Sequence, residues 1–162
     1  MAVNTVSIIN DDTWTLIQTN ATTTGTTSTF SNLSGYKEYL LNFKLVSLTA
    51  GNIALKFNSL TTGYFGGAER IGGWETAGST STAGVYVTIS DYLSNFNGFI
   101  NIKNVKNGAP KFITGVISPP GNAGPHKPIG GNTDTSDITT LTLSTPSGSF
   151  SQGSIELYGI VG

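Results

Sequence analysis

Acyl or phosphoryl transfer by a hydroxyl nucleophile needs a general base within reach. The single histidine of this 162-residue chain, His126, is the only imidazole that could serve. It stands among Pro119, Pro120, Pro125 and Pro128, in a stretch that reads as an exposed, irregular loop. There is no Cys, and no Ser sits in a Gly-x-Ser-x-Gly elbow. A lone His also speaks against zinc, which normally takes two or three. Glu69 and Glu75 flank Arg70 and Trp74, and a carboxylate pair beside an aromatic is the raw material of glycoside hydrolysis. Ordinary surface charges, with Arg70 as ion partner, explain the same residues with less. Asp134 and Asp137, with Asn132 nearby, put oxygen ligands at short spacing on one loop, as calcium sites do. The remaining ligands of such a loop are missing, and Asp137 reads as a turn or cap residue before a strand. Tyr64, Phe65 and Trp74 offer flat apolar faces that could stack on sugar rings or pack against a neighbouring subunit. Together with His126 they form the candidate contact set for a partner or glycan. No catalytic residue, cofactor or metal site is expected.

Composition narrows the classes further. Charged residues make up 10% of the chain, against roughly 25% in an ordinary soluble domain. Thr and Ser fill the gap at about a quarter of all residues, with 21 Gly, which favours strands and turns. The formal net charge is −1, so no basic field exists to hold a phosphate backbone, and nucleic acid is not an expected partner. The first ten residues carry no positive n-region and no long apolar run, so no signal peptide is expected. No window approaches the apolar length of a membrane helix.

The elements that must position these residues are short strands. Trp14–Gln18 opens the domain, after residues 1–13 that read as an arm or edge strand. Tyr39–Ser47 is the strongest strand, with Tyr39, Leu41, Phe43 and Leu45 on its core face. Ile53–Asn58 follows, with Ile53, Leu55 and Phe57 inward, and Gly51-Asn52 predicts a hairpin between the two. Val85–Ile89, Gly98–Val105 and Lys111–Ile117 come next, the last two joined by a hairpin at Asn107-Gly108. Ile138–Ser144 precedes the closing strand, where Ile155, Leu157 and Gly159 share one face. Residues 59–83 and 118–137, rich in Gly and Pro, read as long connections. The expected architecture is an all-β, single-domain antiparallel sandwich, jelly-roll-like, of about nine strands over residues 14–162.

Three phrases carry a family likeness: the opening Trp14-Thr-Leu-Ile, the run Leu33-Ser-Gly-Tyr-Lys-Glu-Tyr-Leu-Leu41 leading to Ile53-Ala-Leu-Lys-Phe-Asn58, and the ending Gly153-Ser-Ile-Glu-Leu-Tyr-Gly-Ile160. With them the chain resembles the small β-sandwich proteins on the outside of tailed-bacteriophage virions, both capsid decoration (cement) proteins and tail-fibre tip domains. The resemblance implies a non-enzymatic virion protein, made in the host cytoplasm and assembled as a homotrimer. Its implied partners are the major capsid protein or tail components, with a host surface glycan as the alternative. Only about 13 residues precede Trp14, too few for the attachment domain and shaft of a fibre, which favours the decoration reading.

Overall fold

The computed structural model describes residues 13–73, 76–78, 84–89, 94–106, 108–119 and 124–162. These form twelve strands, and no helix occurs among them. In chain order they are β1 (Thr15–Ala21), β2 (Thr27–Phe30), β3 (Tyr36–Leu48), β4 (Ala54–Phe57), β5 (Tyr64–Arg70) and β6 (Thr76–Gly78). Then follow β7 (Val85–Tyr86), β8 (Phe96–Lys103), β9 (Lys111–Ser118), β10 (His126–Asn132), β11 (Leu141–Ser144) and β12 (Phe150–Val161). All pairs are antiparallel. One sheet has eight strands, ordered β1-β12-β3-β8-β9-β10-β5-β6, and the other four, ordered β2-β11-β4-β7.

The chain repeatedly crosses from one sheet to the other: β1 to β2, β3 to β4, β7 to β8 and β11 to β12. Those eight strands make two facing sets of four, β1-β12-β3-β8 over β2-β11-β4-β7, which is the jelly roll expected from the sequence. The other four strands come from two insertions. The segment between β4 and β7 supplies β5 and β6; the segment between β8 and β11 supplies β9 and β10. Both insertions extend the same sheet beyond β8.

Alternation fills the space between the sheets. Leu41, Phe43, Ile100, Ile102, Ile113, Ile155 and Leu157 of the long sheet face Phe30, Leu55, Phe57, Leu141 and Leu143 of the short one, all buried. The closing strand β12 lies inside the long sheet, between β1 and β3. There Gly159 leaves room for Ile17 and Tyr36: a Cβ on it would fall 2.3 Å from the Tyr36 ring.

Four expectations are corrected. The chain has twelve described strands where about nine were expected. The Gly51-Asn52 turn makes no hairpin: β3 pairs with β12 and β8, β4 with β11 and β7, so the turn carries the chain across the sandwich. Leu45 does not join the core face. It is 51% exposed with φ +52°, because the register shifts between Phe43 and Val46 and hands the inward positions to Val46 and Leu48. Finally, the Gly- and Pro-rich segments contain strands, β5 and β6 within 59–83 and β10 within 118–137. Pro128 sits in β10 where the ladder to β9 lapses, between the pairs His126↔Ile117 and Ile129↔Thr114. The hairpin between β8 and β9 is present as expected, its turn held by the buried Lys111, whose Nζ donates to the carbonyls of Lys106 and Ala109. The expected N-terminal arm lies, apart from Thr13, outside the described residues.

Candidate interaction surface

The expected contact residues do not converge. Tyr64 and Phe65 are neighbours in β5, and strand alternation sends them to opposite faces. Tyr64 turns inward, stacks on Phe57 at 6.2 Å, and its hydroxyl accepts from the Phe57 N–H at 3.1 Å. Burial raises its pKa above the ordinary tyrosine value. His126 is not in an exposed loop but fully buried at the start of β10, where its ring lies 6.1 Å from Phe96 and Nδ1 accepts the Ile89 N–H at 3.3 Å. Trp74 and Glu75 lie outside the described residues. Glu69 lies 3.7 Å from Lys127 across the β5–β10 pair, while Arg70, one residue on, pairs in register with the buried His126.

The Asp134–Asp137 loop is organised by internal hydrogen bonds. Asp134 Oδ1 accepts from Ser136 N at 2.8 Å and from its hydroxyl, and those bonds hold the carboxyl below the usual range. The Asn132 amide oxygen accepts from Asp134 N at 2.7 Å. The Lys111 ammonium contributes a favourable charge to Asp134, and its own pKa is lowered by burial. Among the described residues no three metal-ligating side chains cluster.

What the structure does assemble is the outer face of the long sheet. Register places its outward side chains in rows across the strands. One row runs Asn42, Phe99, Val116, Lys127, Glu69, Thr76. The next runs Leu40, Asn101, Thr114, Ile129, Gly67, Gly78. The third runs Glu38, Lys103, Phe112, Gly131, Phe65. Phe99 and Phe112 are each 43% exposed, Ile129 46% and Ile71, just past β5, 47%. Four large apolar side chains this open on one sheet face form a contiguous patch of the kind that marks an interaction site. Phe65 and Phe112 meet edge to face at 5.5 Å.

Relief on this face comes from glycine. Gly67 and Gly78 pair across β5 and β6 and leave a trough of about 370 Å³ bounded by Glu69, Thr76, Lys127 and Ile129. A second hollow of about 390 Å³ lies on the other side of Ile129, against Phe99, Val116 and Ile71. Charges here are balanced locally: Glu38 with Lys103, Glu156 with Lys44, Glu69 with Lys127. Lys44 and the Tyr158 hydroxyl, bonded to Glu156, hold that carboxyl below the ordinary glutamate value.

Most of the patch belongs to the two insertions, whose glycines and prolines hide the strand signal. A usable sign was present in β9, where Phe112 and Val116 on one face oppose Ile113 and Ile117 on the other. A strand apolar on both faces at a sheet's outer layer has something to cover. No family model, curated protein or solved structure matches this chain.

Proposed function

We propose that this chain is a non-enzymatic structural protein of a tailed-bacteriophage virion surface, a decoration or cement subunit that works by surface contact. The observation that carries the contact part is the apolar outer face of the long sheet, with Phe99, Phe112, Ile129 and Ile71 open to solvent. The virion part rests on the likeness of the opening phrase, the phrases of β3 and β4, and the closing phrase to such proteins. A jelly roll suits the task, since a closed core leaves whole sheet faces free for neighbours. The partner in this reading is the major capsid protein, and the station is the outside of the shell.

A second reading is a receptor-binding module for host glycan. It draws on Phe99 and Phe112, exposed rings flanking Asn101 and Thr114, because ring faces beside amides and hydroxyls suit sugars. The deciding experiment adds purified protein to intact virions and empty shells and images them by cryo-electron microscopy. Regular density at capsid symmetry axes is expected. Density confined to the tail, or bare shells together with binding to host cells, would overturn decoration in favour of the second reading.

A further inference from the structure

We infer that the outer face of the long sheet is the contact between two copies of this chain, packed face to face about a two-fold axis that runs along the strands between β10 and β5. The inference rests on the reading of this face as a docking surface and names its occupant away from the shell, a second copy that the capsid protein of that reading displaces.

The argument is one of self-complementarity, because an isologous contact needs both halves of every interaction on the same patch. A two-fold axis in that position lays β10 of each copy over β5 of the other and keeps each row over itself. Lys127 of one copy then faces Glu69 of the other, and Glu69 faces Lys127, so each row-mate meets its opposite charge. Ile129, the most prominent apolar knob of β10, faces the floor at Gly67, where the trough of about 370 Å³ receives it. Ile71 faces Pro125, its own neighbour in register through the bond from Ile71 N to Pro125 O. Three successive rows therefore pair apolar with apolar, charge with counter-charge, and knob with hollow. No other axis along the strands does this for the β5 and β10 columns.

The overlap is of modest size. This axis superposes four strands, β9, β10, β5 and β6, and at ~4.8 Å spacing with up to eight residues at ~3.4 Å they give a footprint of roughly 19 Å by 27 Å. That is below the ~800 Å² per partner of a standard interface, the size of a reversible contact. Sheets in face-to-face contact pack about 10 Å apart within ~30° of alignment, which preserves the row matching near the axis. A contact of this symmetry gives a dimer, whereas the trimer implied by the family likeness requires two different patches to meet.

Sedimentation equilibrium on the full chain tests this, with charge-swap variants as the discriminating set. The wild type is expected to show a reversible monomer–dimer equilibrium as its concentration rises. Lys127→Glu sets like charges face to face in both symmetry-related rows and should weaken association at least ~10-fold, and Lys127→Glu with Glu69→Lys should restore it to within ~3-fold of wild type. Thermal melting of the separated monomers should coincide, since these side chains are exposed. A monomeric or trimeric wild type, an indifferent Lys127→Glu, or a failed restoration would each overturn the dimer. The docking reading is scored separately with Ile129→Glu on phage shells. A monomer whose shell binding is lost in that variant sinks the dimer and keeps the docking surface; a dimer that ignores shells does the reverse.

Discussion

Phe65 and Phe112 come from different insertions and meet edge to face, centroids 5.5 Å apart and planes at 69°, over the bare backbone of Gly131. The contact exists because Gly131 stands between them in register with no side chain of its own. A Cβ there would fall 1.8 Å from the Lys111 carbonyl oxygen and 3.0 Å from the Phe65 ring. The aromatic part of the docking face thus depends on one glycine in the middle of a strand.

Gly131→Ala should therefore destabilise the protein by about 1–3 kcal/mol, since β9 and β10 must part to admit the methyl group. Gly78→Ala, where nothing lies within 4 Å of the added atom, should stay within about 0.5 kcal/mol of wild type. Urea denaturation of the two variants side by side checks the contrast.

Leu45 holds φ +52° in the bulge of β3, its N–H donated to Asn97 Oδ1 at 3.0 Å. An L-residue with a branched chain is strained there, by roughly 1–2 kcal/mol. Its side chain is exposed, so Leu45→Gly should raise the urea midpoint, and Leu45→Val should lower it. Equal midpoints for the two variants would contradict the assignment of strain to this position.

His126 is a core residue, and its test is structural. His126→Phe keeps the ring volume and removes the acceptor of the Ile89 N–H, which should cost about 1–3 kcal/mol through the buried donor left behind. Binding to shells, measured below the unfolding transition, should be unchanged, because the residue faces away from the docking surface.

Glu156 supplies a pH signature. Its folded pKa is depressed, first by the Lys44 hydrogen bond and then by Tyr158. A depressed carboxylate contributes stability that is present above the unfolded value of 4.5 and lost as pH falls through the lower folded value. Wild type should thus exceed Glu156→Gln in urea midpoint at pH 7, with the gap closing below pH 4.5. A gap that persisted at pH 2 would assign the effect to packing.

Much of the jelly roll was legible from alternation alone. Tyr39, Leu41 and Phe43, then Ile53, Leu55 and Phe57, then Ile155 and Leu157 announce buried faces wherever their strands pair, because the period of two is a property of the extended backbone. Pairing partners were another matter. Whether Gly51-Asn52 folds β4 onto β3 or carries it to the other sheet depends on β11 and β12, about a hundred residues away, and local turn chemistry is the same in both cases.

The sequence by itself determined an all-β chain with a core of alternating strands and a hydroxyl-rich, nearly neutral surface. Tertiary structure alone decided that 64–70 and 126–132 are strands, that His126 and Tyr64 point into the core, and that Phe65, Phe99, Phe112 and Ile129 share one open face. The physical reason is the same for each. Glycine and proline carry no hydrophobic period, so a strand built from them is defined only by the hydrogen bonds its neighbours offer. A surface patch drawn from four strands, three of them in the two insertions, exists only once the register between them is set.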